Sequence, residues 1–200
     1  MSALAGLRRF LDAPPDEPRC ELCAAPLGSG HTHAVDLDAR GLLCVCTACR
    51  LLLAGRGAAA RGRYRAVPER HRRLPDLTLT AGQWEELGIP VRFCFVFRNS
   101  RLGEYVALYP SPAGATEATV PAAAWERSVA AGDVADDVEA LLVRRRGDLV
   151  ERHLVPVDAC YRLVARVRTH WEGFDGGERV RAETDAFFAD LEVREGGGAR

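Results

Sequence analysis

The sequence contains no lysine: its 27 basic residues are all arginine, set against 28 acidic residues in a chain of 200. The Ala-, Arg-, Gly- and Val-heavy composition points to a GC-rich genome rather than to a functional reason for excluding lysine. A formal net charge of -1 provides no global field toward DNA or an anionic membrane. Long apolar runs are also missing. The stretch "ALAGLRRFL" is too short to span a bilayer, two arginines interrupt it, and no secretory cleavage pattern follows. Cysteine is scarce and odd in number, at seven, which argues against a disulfide framework. There is no P-loop, no G-x-G-x-x-G after a strand and no G-x-S-x-G. These absences lead to the expectation of a chain that is soluble and cytoplasmic, does not insert into membranes, and carries no recognisable catalytic motif.

What is present is concentrated. Residues 20–50 hold five of the seven cysteines and two of the five histidines. Cys20 and Cys23 form one C-x-x-C pair, and Cys46 and Cys49 form another. Such a pair turns two thiolates toward one point from a tight loop, and two pairs complete a tetrahedron of soft ligands suited to Zn²⁺. The small residues of "CAAPLG" allow the backbone to wrap closely. The second pair falls where a helix should begin, so helix N–H groups would favour its thiolates. Cys44 is an alternative to Cys46, because the two share a face on an extended strand. His31 and His33, in "GSGHTH", are further alternatives, although a solvated loop explains both. Iron is the alternative ion, but the "CPxCG" loops of rubredoxin are missing. Four thiolates close the coordination shell, so a structural site is expected and no catalytic residue is assigned. "CELC" also resembles the start of HNH-type nucleases, but their catalytic histidine and its partners are not recognisable.

The rest of the chain predicts an α+β protein. Residues 1–18 read as a short amphipathic helix and linker, 19–54 as the zinc-binding module, 55–75 as an arginine-rich connector and 76–195 as an α+β domain. "HAVDL" and "LLCV" flank a turn, with Gly41 placed for a positive φ, and "TACRLLLA" follows as a helix. The order loop, hairpin, helix resembles a treble-clef zinc module, with a zinc ribbon close behind. "AGQWEEL" opens a short helix behind a Thr80/Gln83 capping box. "VRFCFVF" reads as a buried strand and "YVALY" as its antiparallel partner. "PAAAWERSV" suggests a helix. "EALLVR" and "LVERHLV" suggest a hairpin, although Val134, Val138, Leu141 and Leu142 also fit a helix. Two C-terminal amphipathic stretches, broken at "GFDGG", should form a helical hairpin on the sheet. Cys94 and Cys160 fall on apolar faces and read as core.

Residues 50–73 carry eight arginines and a single acid, Glu69. Within it, "AGRGAAARGRYR" has no apolar period, is broken by glycines, and reads as a linker or flexible arm. Arg61, Arg63 and Arg65 are candidates to bind an acidic protein partner; nucleic acid is the alternative. The plainer explanation is a solvated arm, or pairing with acids such as Asp133, Asp136, Asp137 and Glu139 of the same chain. "CELC", the later C-x-x-C, "GRYRAVPERHRRL", "GIPVRFCFVF" and "VPVDACYRLVARVRTHWEGFDGG" together resemble an actinobacterial family of unknown function whose genes lie near NiFe hydrogenase genes. That resemblance implies an accessory, maturation or electron-transfer role, with hydrogenase subunits or maturation factors as partners.

Overall fold

A computed structural model describes residues 17–54, 62–78, 80–86, 91–119, 133–173 and 176–197. The helices expected at 3–11 and 121–129 lie outside these residues. Two antiparallel sheets organise the rest. Strands β1 (Thr32–Asp36), β2 (Gly41–Val45) and β3 (Tyr64–Ala66) form a small sheet in the order β2-β1-β3, and helix α1 (Thr47–Ala54) follows β2. The larger sheet holds β4 (Arg72–Thr78), β5 (Phe93–Asn99), β6 (Glu104–Ser111), β7 (Gly114–Thr119), β8 (Glu139–Arg146) and β9 (Leu149–Pro156), in the order β4-β9-β8-β5-β6-β7. Helix α2 (Ala81–Glu86) lies between β4 and β5 in the chain, and α3 (Val157–Thr169) and α4 (Gly177–Gly197) close the fold. No described helix is long and apolar enough to cross a membrane.

The large sheet is buried on both faces, which explains its unbroken apolar runs. Phe93, Phe95, Ala140, Leu142 and Val155 meet Cys160, Leu163, Val167, Phe187 and Phe188 of the helical hairpin. The residues of opposite parity, Cys94, Val96, Leu141 and Val143, pack with Trp84 of α2 on the other side. Adjacent Leu141 and Leu142 therefore both find a core, and the strand prevails over the helical alternative. Gly147 supplies the φ of 65° needed by the two-residue turn between β8 and β9. Cys94 and Cys160 are core residues, as their sequence context implies, and burial pushes both thiols far above their ordinary range.

The turn of the first hairpin differs from expectation. The positive φ belongs to Arg40, at 54°, rather than to Gly41. Gly41 is already paired with Asp36, so the left-handed residue must lie one position earlier. Asp36 Oδ1 accepts the N–H groups of Asp38 and Ala39 and sets the loop.

The arginine-rich segment also differs. Tyr64 and Arg65, read as the end of a flexible arm, lie in β3, and β4 (Arg72–Thr78) begins within the connector; residues 55–61 lie outside the described set. Ion pairing explains the order. Arg63 grips buried Asp36 at 2.6 Å, and Arg65 reaches Asp137 at 3.1 Å and the Asp136 carbonyl at 2.8 Å. Arg70 makes a forked contact with buried Glu139, at 2.8 and 2.6 Å. Beneath these pairs, Val35, Leu37 and Val67 pack on Val138 and Val157, so the small sheet docks on the body of the protein.

Candidate metal centre

The first C-x-x-C lies in a tight knuckle. Cys20 N–H donates to Ala25 O at 2.7 Å, Leu27 N–H to Pro18 O at 2.7 Å, and Ala24 N–H to Cys20 O at 2.8 Å. Ala24 closes the turn with a φ of 60°, a left-handed conformation that costs a residue with a Cβ about 1–2 kcal/mol. Glu21 ties the knuckle to β2: its N–H donates to Cys44 O at 2.9 Å, and its carboxylate accepts the Cys44 N–H. Cys46 follows the end of β2, and Cys49 lies in the first turn of α1. Cys49 N–H donates to Cys46 Sγ at 3.4 Å.

Together these elements bring the four sulfurs within 4.8 Å of one another, with Cys23 Sγ and Cys46 Sγ 3.7 Å apart. A tetrahedral zinc with Zn–S bonds of ~2.3 Å requires sulfurs ~3.8 Å apart. The donor set therefore fits a thiophilic ion with little rearrangement. Cys20 is buried, Cys46 and Cys49 are half-buried, and Cys23 is exposed. Burial opposes ionisation of Cys20, but N–H groups of Cys46, Leu22 and Cys23, with the Cys23 thiol, hold its pKa down at about 6. Cys49 is pushed up to about 12, first by its contact with the Cys23 thiol and then by burial. Thiols this close compete for negative charge, and a bound dication would remove that competition.

Cys44, His31 and His33 belong elsewhere. They form a separate group whose ligand atoms also lie within 4.8 Å of one another. His33 is the register partner of Cys44 across β1 and β2, and His31 is two residues before His33, so all three share one face. His33 Nδ1 lies 3.0 Å from Asp158 Oδ2, in the first turn of α3, and His31 Nδ1 lies 3.1 Å from Gly28 O. The proximity of His153, Asp158 and Cys160 in sequence has no counterpart at the site. His153 and Cys160 are buried in the core, whereas Asp158 faces His33. The role of Asp158 depends on a contact spanning 125 residues, for which the sequence gives no local signal. Of the arginines expected to meet a partner, Arg63 and Arg65 make the internal contacts described above, and Arg61 lies outside the described residues.

Residues 19–195, spanning this cysteine cluster and both sheets, match a family of unknown function, DUF5947. The chain belongs to that family. No curated protein and no solved structure matches it. The DUF5947 match starts one residue before Cys20 and ends within α4, so it takes in the cysteine cluster and the body together.

Proposed function

We propose that this DUF5947 chain is a zinc-binding accessory or adaptor protein, with Zn²⁺ held by Cys20, Cys23, Cys46 and Cys49. One observation carries the reading: four cysteine sulfurs converge where a knuckle meets a helix N-terminus. The order knuckle, hairpin, helix is that of a treble-clef zinc module. A shell of four thiolates leaves no open coordination position, so the ion's contribution is to folding. The module needs it, since only Cys20, Ala34 and Val45 are fully buried in its own apolar cluster. Helix α1 has no fully buried residue; Cys49 and Leu53 are only partly buried against that cluster.

The adaptor role is supported by the outer surface of α1. Leu51 and Leu52 are 62% and 67% exposed there. Arg61, Arg63 and Arg65, further along the chain, are the arginines proposed to meet an acidic protein partner. The family resemblance implies hydrogenase subunits or maturation factors as that partner. Internal pairing of Arg63, Arg65 and Arg70 weighs against phosphate recognition and equally against carboxylate recognition as their main task, so exposed Leu51 and Leu52 carry the adaptor reading.

Elemental analysis of chain purified without added metal tests the site. Zinc retained by the wild type and lost in Cys46→Ser supports it; a folded, metal-free wild type refutes it. A coloured, redox-active protein would instead favour the iron electron carrier, which the exposed Cys23 also suits. Affinity purification with Leu51→Ser/Leu52→Ser tests the adaptor role, because the partner should be lost while the metal stays.

A further inference from the structure

We propose that His31, His33 and Cys44 form a second metal site, open at one position, for a divalent transition ion of the zinc and cobalt class. The hairpin builds it. Antiparallel register sets His33 opposite Cys44, strand alternation adds His31 on the same face, and the three ligand atoms lie within 4.8 Å of one another. An ion with bonds of ~2.0–2.3 Å to nitrogen and sulfur would need to draw them in by about an ångström.

The hydrogen bonds prepare the two rings. A carbonyl oxygen only accepts, so the contact of His31 Nδ1 with Gly28 O places the proton on Nδ1. The Asp158 carboxylate makes the same demand on His33 Nδ1. An imidazole with its proton on Nδ1 has its lone pair on Nε2, the nitrogen left for an ion. An oxygen acceptor behind each ligating ring is the arrangement that fixes histidine tautomers at metal sites.

Asp158 provides a second, independent observation. Its side chain is 14% exposed, its Oδ1 is buried without a hydrogen-bond partner, and its cation partner Arg162 stands 3.8 Å from Oδ2. A buried carboxylate with one oxygen unpaired favours positive charge on or behind the imidazole it faces. A dication on the far side of that imidazole offsets its charge. His31, His33 and Cys44 are all half-buried, which gives an ion and a water ligand a route in. With three protein ligands, the ion should exchange more readily than one in the four-thiolate site. The site also joins β1 and β2 to α3, so the second ion would bind across the junction between the small sheet and the body.

Titrating metal-free full-length chain with Zn²⁺, followed by calorimetry, tests the site. The wild type should take up two equivalents, the second weaker. His31→Gln/His33→Gln should take up only the tight one. Both histidines lie outside the core, and circular dichroism checks that this variant is folded. With Co²⁺ as probe, the wild-type spectrum should contain a mixed nitrogen and sulfur component that the double variant lacks. Asp158→Asn should weaken the second equivalent roughly tenfold or more and leave the first unchanged. A wild type that binds one equivalent, or a double variant that still binds two, overturns the second site and leaves the four-cysteine site standing. A double variant that loses both ions also overturns it, because the histidines would then serve the first site.

Discussion

The two ends of the chain are ordered by different forces. Among the described residues, the body folds around sixteen buried residues on one face of its sheet and eight on the other. The cluster beneath the knuckle and α1 has three buried residues among those described, Cys20 of the knuckle, Ala34 of β1 and Val45 of β2. Ordering a residue costs about 1–2 kcal/mol in backbone entropy, which so small an apolar cluster does not offset. Between these extremes lie β1 and β3, docked on the body through Val35, Leu37 and Val67 and through the arginine pairs. The lesson is that dependence on metal should be local. It should be strong in the knuckle and α1, weaker in the docked strands, and absent from the large sheet.

The largest effect that would sharpen this contrast comes from Cys46→Ser. Zinc binding in small modules is worth on the order of 10 kcal/mol, and this change removes a ligand. The variant should lose the tight ion yet keep the body's cooperative unfolding transition. Cys44→Ser should keep the tight ion, because Cys44 lies in the other group. Retention by Cys46→Ser and loss by Cys44→Ser in elemental analysis would reverse the ligand assignment.

Phe188→Ala should have the next largest effect, now in the body. Its ring is fully buried, meets Phe93, Phe187 and His153 edge-on, and carries the Arg144 guanidinium 4.0 Å from its centroid. Chemical denaturation should show a loss of about 3–5 kcal/mol, with the tight metal equivalent unchanged in the folded chain. A loss of metal in step with the loss of stability would join the two regions into one unit.

Arg70→Ala probes the junction. It leaves the Glu139 carboxylate buried without its cation, at a cost of about 2–3 kcal/mol by the same denaturation measurement. Arg70→Lys should recover only part of this, since lysine cannot reproduce the fork. A neutral Arg70→Ala would remove this pair from the account of docking.

The smallest effect is acid-linked. The Arg63 hydrogen bonds outweigh burial and hold Asp36 at about 2, below its ordinary 3.8. A carboxylate depressed in the folded state stabilises it above the unfolded pKa and ceases to do so as pH falls through the folded one. The strands around Asp36 should therefore loosen from pH 3.8 down through 2, seen as local amide-signal loss in NMR spectra. Arg63→Ala should move that loss to higher pH. An unchanged midpoint would contradict the role of the pair.

Legibility in the sequence followed the same division. The "FCFVF" strand, the first hairpin, the "TACRLLLA" helix and the C-terminal helices could be read because local pattern and final burial agree. β4 was obscured by Pro75 and a register shift between Leu74 and Leu77, both tolerated on an edge strand. β7, "GATEAT", lacks large apolar residues because it is the other edge. The C-x-x-C spacing alone brought out the four-cysteine group. The histidine group was harder, since it depends on pairing His33 with Cys44 across a turn and on a remote carboxylate. The arginines read as an arm because their acids lie far along the chain, with Arg70 and Glu139 separated by 69 residues.

Hydrogen exchange on the full chain, with and without a strong chelator, tests the central claim most directly. Chelation should greatly accelerate exchange in residues 18–27 and in Thr47–Ala54 and have a smaller effect on Thr32–Asp36. Phe93–Asn99 and Leu149–Pro156 should exchange as before. Exchange that rises uniformly through the large sheet, or that does not change in the knuckle and α1, would contradict a metal ion that orders only this end of the molecule.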